Sequence, residues 1–406
     1  MKIIFANNYY YIRGGSERGF FDEMQILWEK GHYVLPFSRH FSQNIENLKY
    51  FPSPIDYENV PIYKRLFAAF SLIYSPTCAR YFGKLLDREL PDIVHAHNIY
   101  GRLTTSIIQA AKKRNIPVVL TLHDYKLICP SYLMLREGKI CELCKGKRFY
   151  YCLLKRCHKG SFFASAVYTV ETYFNFFTKK YDWVRFFICP SKFLLQKCIE
   201  GGISEHKLVY VPNFIRVEEF KPLYDNKGYI LFVGRLSKEK GILTLLKAVQ
   251  DIDVELKVVG DGPIKRVCER SVKENNIKNV SFEGYKSGDE LKNLYRNAIF
   301  VVFPSECYEN APMSVLESFA YGKPVVGANI GGIPEMVKNG ETGLLFTPGD
   351  HRELREKIIY LLKQPSFVNK LGQKARRVVE QKYNAERHYE NLIRVYTKVL
   401  EQTQSQ

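Results

Sequence analysis

The sequence predicts an α/β protein of two domains, each built around a parallel sheet. Three observations carry that expectation. Short apolar runs alternate with helical patterns through both halves of the chain, the rhythm stops and restarts near residue 213, and 406 residues exceed what one hydrophobic core usually serves. Strands covered on both faces read as continuous apolar runs. Many of the runs here have that character.

Lys2 to Ala6 is the first strand, followed by Gly14-Gly15-Ser16-Glu17 and a helix through about Lys30. Asp92–His95, Val118–Thr121 and Phe186–Cys189 are further strands, with a helical stretch at Leu103–Lys113. Val211-Pro-Asn-Phe-Ile and the polar run to Gly228 read as a hinge. From Tyr229 the alternation resumes with strands at 229–234, 256–260, 279–284, 300–304 and 324–327, and the chain ends in helical sequence from about Ser366 to Thr403. The expected domains are 1–212 and 213–385, with a terminal helix at 386–406. One junction is unusually explicit: an apolar strand at Ile299–Pro304, a polar turn to Glu309, Asn310 as N-cap, Pro312 in the first turn and Gly322 past the end. That predicts a helix from about Pro312 to Tyr321, its free N–H groups turned toward the carboxyl end of the strand as an anion site.

Composition narrows the function. No stretch reaches the roughly 18 apolar residues that span a bilayer, and Asn7 and Asn8 end the first apolar run too early for a signal peptide. A cytoplasmic protein is expected, at the cytoplasmic face of the membrane if it docks there. The net charge of +18 points to polyanions: nucleic acid, an anionic membrane or phosphorylated substrates. No helix-turn-helix, zinc-finger spacing or RNA-recognition motif supports nucleic acid. Two aromatic, basic stretches, Ile62–Leu86 and Tyr168–Phe187, could lie on a membrane or be ordinary core helices.

Chemistry-bearing residues gather at strand ends. Gly234-Arg235-Leu-Ser-Lys-Glu-Lys240-Gly241 lies between a strand and a helix, where Arg235 and Lys240 can neutralise a diphosphate or remain solvated surface cations. Gly260-Asp-Gly262-Pro263 is a glycine turn after a strand, a common device by itself. Gly14 and Gly15 would let backbone approach a phosphate. There is no G-x-G-x-x-G, which disfavours a dehydrogenase. Glu309 and Glu317 stand eight residues apart across a helix entry, and a carboxylate can accept two hydroxyls of a cis-diol. His123 follows a strand, as His95 and His97 do in Asp-Ile-Val-His-Ala-His-Asn. A lone histidine is more often structural than catalytic.

The run from Phe303 to Phe346, FPSECYENAPMSVLESFAYGKPVVGANIGGIPEMVKNGETGLLF, together with Thr-Leu-His-Asp-Tyr at Thr121–Tyr125, resembles the retaining glycosyltransferases of family 4 (glycosyl transferases group 1). The resemblance implies the GT-B fold, two Rossmann-like domains facing a central cleft, with the terminal helix returning to the first. It implies transfer of a sugar from a nucleotide-diphosphate donor (UDP- or GDP-linked) to an acceptor hydroxyl on a glycan or lipid-linked acceptor. No metal or cofactor is then required for catalysis, and closure near Asn213 would exclude water. By the same resemblance Arg235 and Lys240 hold the diphosphate, Gly14 and Gly15 approach it, and Gly262 and Tyr285 line the base pocket. Glu317 binds the ribose, Glu309 lies beside the sugar, Asn310, Ala311 and Pro312 shape that loop, and His123 meets the donor sugar near the reacting carbon. His95 and His97 are weaker candidates toward the acceptor. A non-catalytic nucleotide-sugar-binding subunit, a polyanion binder, a phosphorylase on the same fold and a transferase with a small soluble acceptor are the competing readings.

Five cysteines, Cys129, Cys141, Cys144, Cys152 and Cys157, with His158 adjacent, fall within an expected insertion at about 129–160. Cys141-Glu-Leu-Cys144 has C-x-x-C spacing, compatible with a structural zinc or with free thiols. Stable disulfides are unexpected in a reducing compartment.

Overall fold

The computed structural model describes residues 1–54 and 62–404, with the side chains of 62–67 and 404 outside the described set. The chain forms two compact units, one of residues 1–136, 141–211 and 389–406, the other of 137–140 and 212–388.

The first unit contains β1 (Lys2–Ala6), β2 (Tyr33–Phe37), β3 (Ile93–Ala96), β4 (Val118–Thr121), β5 (Leu135–Arg136), β7 (Val184–Cys189) and β8 (Leu208–Tyr210), while β6 (Lys139–Ile140) falls among residues 137–140 of the second. The main sheet runs β2-β1-β3-β4-β7-β8, and every pairing is parallel. Ile3, Phe5, Ile93, Val119 and Ile188 from the sheet pack with Phe20 and Leu27 of the helix Gly15–Glu29. The last helix, Ala385–Gln404, adds Leu392, Val395, Tyr396 and Val399 to that core.

The second unit carries β9 (Tyr229–Val233), β10 (Glu255–Val259), β11 (Val280–Gly284), β12 (Ala298–Phe303), β13 (Val325–Ala328) and β14 (Gly343–Phe346). Its order is β11-β10-β9-β12-β13-β14, again parallel throughout. The strand order reverses between β1 and β3 in one sheet and between β9 and β12 in the other. Open α/β sheets bind ligands at the carboxyl ends of strands flanking such a reversal.

Three strands of the two parallel sheets escaped the sequence pattern: β2, β8 and β14. All three are edge strands, and an edge is covered less completely than a centre. Pro36 inside β2 is tolerated because an edge leaves one side of the ladder without a partner strand. The helix expected at Leu103–Lys113 begins only at Ser106. Thr104 adopts φ 62, a left-handed conformation incompatible with helix. The stretch Ile62–Leu86 is two helices, Ile62–Ile73 and Pro76–Glu89, with residues 62–67 lying outside the described side chains. Tyr168–Phe187 ends its helix at Phe177 and enters β7 at Val184. Neither stretch is therefore one continuous amphipathic helix.

Candidate active site

In the second unit, β9 delivers Gly234 and Arg235, and a short turn then carries Lys240 to Gly241. Gly241 has φ +68, and a Cβ there would collide with the Pro304 carbonyl at the end of β12. Only glycine lets the two loops close so tightly. They are joined by Glu306 N–H to Glu239 O at 2.8 Å and Ser305 Oγ to Glu239 O at 3.2 Å.

That closure sets Lys240 Nζ 2.6 Å from Glu309 Oε1, with the two side chains only 27% and 11% exposed. Ser305 Oγ donates to the same oxygen at 2.6 Å. Burial pulls the Lys240 ammonium down, but Glu309 and its acidic neighbours outweigh it and hold the value above that of ordinary lysine. Lys240 is thus a fixed cation. Cys307, beside the same carboxylate at 3.7 Å, is pushed up to about 12 by burial and then by Glu309, so its thiol stays protonated. Arg235 differs: it is 62% exposed and bridges Glu239 at 3.0 Å.

The helix after β12 runs Met313–Ala320 with Pro312, extended at φ -68 and ψ 121, at its N-cap and no side-chain cap. Asn310 is therefore not the cap, and Pro312 precedes the first turn. Ala311 O is instead held by Asn213 Nδ2 at 2.9 Å, and Glu309 O accepts from Gly332 N at 2.8 Å. Gly331, at φ +61, lies so close to the Glu309 backbone that a Cβ would collide with it. Glu317, on the buried side of the helix, accepts from Tyr295 Oη at 2.9 Å. Tyr295 in turn stacks on Tyr321 at 5.6 Å.

Gly262 has a structural reason of its own, since a Cβ there would strike the Leu236 backbone. Leu236 N donates to Asp261 O at 2.9 Å, which ties the turn after β10 to the turn after β9. Tyr285, past the end of β11, is strongly exposed.

In the first unit the helix Gly15–Glu29 is the next element after β1, reached through the loop 7–14, with Gly14 at its N-cap. Only Glu17 Oε2 comes within 4 Å of where a Gly14 Cβ would stand, and the φ of -175 is ordinary extended backbone, so protein packing does not demand glycine there. Beyond β4, His123 Nε2 lies 3.0 Å from His97 Nδ1, and the rings stack at 5.2 Å. Glu23 Oε2 lies 3.5 Å from His97 Nε2 and 3.7 Å from His95 Nδ1. Burial lowers the His123 imidazole to about 4, against a smaller pull upward from Glu23. It is neutral at pH 7. Asp124 moves the other way, raised to about 6 by burial.

His95 and His97 do not face outward as strand logic suggested. Both are buried, and His95 is held by Thr121 Oγ1 at 2.7 Å and Tyr396 Oη at 2.7 Å. Glu23, His95 and His97 form the single group of metal-sized spacing among the described residues. With both His95 nitrogens engaged, it reads as a hydrogen-bonded network. The five insertion cysteines include no such group. Four of them make two thiol pairs, in which Cys144 lowers Cys129 to about 6 and Cys157 lowers Cys152 by hydrogen bonding.

Sequence reasoning missed Glu23, Tyr295 and Gly331. Glu23 was visible as a carboxylate on the same helix stripe as Phe20, Ile26 and Leu27. Tyr295 and Gly331 gave no comparable signal, because their roles depend on contacts across the fold.

Two parallel doubly wound sheets, with charged and glycine-bearing loops at the carboxyl ends of their strands, define a GT-B glycosyltransferase. The chain belongs to Glycosyltransferase Family 4, whose model matches residues 13–219, and the Glycosyl transferases group 1 model matches residues 214–378. An uncharacterised glycosyltransferase of Methanocaldococcus jannaschii is 26% identical over 92% of each chain. The sulfoquinovosyl transferase SQD2 of Arabidopsis thaliana is 27% identical over 91% of this chain and 68% of its own. Among solved structures, a sucrose-phosphate synthase from Thermosynechococcus elongatus superposes with TM-score 0.74 at 20% identity, over 98% of each chain. Anabaena HepE in complex with UDP superposes with TM-score 0.69 at 17% identity, over 98% of this chain and 100% of its own.

Proposed function

We propose that the protein transfers a sugar from a nucleotide-diphosphate donor to an acceptor hydroxyl with retention of anomeric configuration and without a metal. The observation that carries this is the pair of cations at the strand-order reversal of the second sheet, half-buried Lys240 against Glu309 and exposed Arg235 against Glu239. As the donor's glycosidic bond breaks, the electron pair moves to the β-phosphate oxygen. Lys240, Arg235 and the N-terminus of the helix Met313–Ala320 stabilise that charge.

The departing phosphate accepts the proton of the incoming hydroxyl, which attacks the face it has just left. Neither Glu309 nor Glu317 needs to form a covalent intermediate. In this reading Glu317 accepts the ribose hydroxyls, Glu309 and the backbone at Asn310, Ala311 and Pro312 orient the sugar, and neutral His123 meets it by hydrogen bonding. Gly14 and Gly15 leave room for phosphate, while Gly262 and Tyr285 border the base. HepE, a fold neighbour, holds UDP, which makes a uridine donor the first to test and a guanosine donor the second. The acceptor class proposed is a glycan or lipid-linked glycan of a surface polysaccharide or glycolipid.

The test is nucleotide release from UDP- and GDP-sugars with EDTA present, with the anomeric coupling of any product read by NMR. Turnover with EDTA and an unchanged anomeric configuration is expected. Inversion, or abolition by EDTA, would overturn the corresponding part of the reading.

A further inference from the structure

The helix Phe162–Phe177 is inside out. Its buried face consists of Ser165, Thr169, Glu171, Thr172 and Asn175. Those groups are tied inward: Lys126 Nζ meets Glu171 Oε2 at 2.6 Å, Asn175 Nδ2 donates to Glu171 Oε1 at 2.6 Å, and Thr105 Oγ1 donates to Asn175 Oδ1 at 2.7 Å. Its outer face carries Phe163, Val170 and Phe177, which are 81%, 53% and 72% exposed. Seven-residue spacing keeps these three in one line along the helix, about 21 Å from first to last at the usual rise. A surface helix in water normally has the reverse arrangement.

Charge around this stripe is one-sided. From Leu143 to Tyr181 the chain has eight Lys and Arg residues and a single carboxylate, Glu171, which is buried. Lys155, Arg156 and Lys159 precede the helix, and Lys179 and Lys180 follow it. Apolar side chains between two basic flanks match an interface with an acyl interior and anionic headgroups. A second copy of the same surface would oppose positive flank to positive flank, which disfavours self-association.

We infer that Phe163, Val170 and Phe177 dock the first unit on an anionic lipid surface, with the flanking lysines and arginines at the headgroups. No helix among the described residues is long and apolar enough to cross a membrane, so the mode is one of lying on the surface. This deepens the proposed use of a lipid-linked acceptor, which would be presented at the same surface.

The experiment is co-sedimentation of the full chain with phosphatidylcholine vesicles, with and without phosphatidylglycerol, for the wild type, Val170→Thr and Phe163→Ser/Phe177→Ser. The wild type is expected to partition onto the anionic vesicles, and the double variant to lose about tenfold or more in partitioning, with Val170→Thr between them. Thermal melting within a few degrees of wild type establishes that the variants fold, because all three side chains are exposed. Wild-type protein left in the supernatant with anionic vesicles, or a folded double variant that binds equally well, would overturn the inference. So would light scattering that shows wild-type self-association abolished by the double variant, since the face would then belong to a second copy. Sedimentation needs no turnover, so failure of docking and failure of the transferase reading are distinguishable.

Discussion

The two sheets solve the same placement problem with opposite electrostatics. In the second unit, the reversal between β9 and β12 gathers fixed charge: Lys240 against Glu309 at 2.6 Å and Arg235 against Glu239 at 3.0 Å. In the first unit, the strands β3 and β4 gather Glu23, His95, His97 and His123, a set dominated by buried imidazoles, with His123 neutral at pH 7. Charge suits a phosphate, because a preorganised cation stabilises developing negative charge without reorganising solvent. Neutral imidazole suits a sugar, because it can exchange hydrogen bonds with hydroxyls and leaves no ion stranded in a buried site.

The contrast breaks most sharply at the cations. Lys240→Ala is expected to lower kcat/KM by about 10² to 10³, roughly 2.7–4 kcal/mol of transition-state stabilisation, as measured by nucleotide release. Arg235→Ala should fall in the same range or below, since the residue is more exposed. Unchanged turnover in both would remove the phosphate role.

Next is Gly331→Ala, whose Cβ would press on the Glu309 backbone at a positive φ. A stability loss of about 1–3 kcal/mol is expected in a denaturant melt, with a further drop in activity beyond what the melt explains. A variant as stable and active as wild type would mean that the Glu309 loop is not held as described.

A smaller effect tests the proposed ribose role of Glu317. Tyr295→Phe removes the hydroxyl that orients Glu317, worth about 0.5–1.5 kcal/mol. It should raise the donor KM a few-fold while kcat holds. A kcat effect at constant KM would place Glu317 nearer the chemistry than the ribose.

The neutral side of the comparison is sharpened by histidine NMR. His123 should titrate near 4, not near its ordinary 6.5. Because the folded value lies below the ordinary one, its contribution to stability is complete above about 6.5 and is lost as pH falls toward 4. Titration at 6.5 would contradict the burial described. Last, metal analysis of protein purified without chelator tests the insertion, where Cys129 pairs with Cys144 and Cys152 with Cys157; less than stoichiometric zinc would leave the cysteines as free thiols. Stoichiometric zinc would show that the insertion closes around a metal.

The sequence revealed central strands far better than edges. Lys2–Ala6 and Val118–Thr121 emerged with their full extents because both faces are covered and all but one residue of each run is apolar. β2, β8 and β14 lie at sheet edges, where no such run is required. Arg235, Lys240, Glu309 and Glu317 could be singled out as candidates because motif spacing and strand ends marked them, and of these the structure brings Lys240 against Glu309. Asn310 misled as a cap because its composition suits one, while the backbone after Glu309 is held by Asn213 and Gly332. His95 and His97 were misjudged for a related reason. Strand position shows which end of the sheet a residue occupies, but only packing shows that Tyr396, three hundred residues later, covers it.

The most direct test of the charge-built phosphate site is calorimetric titration of wild type and Lys240→Ala with UDP, GDP, ADP and CDP at moderate salt. One nucleotide should bind wild type clearly better than the other three, and Lys240→Ala should lose most of that binding. Equal, weak and salt-sensitive binding of all four by both proteins would mean that Lys240 and Arg235 are only part of a generally basic surface.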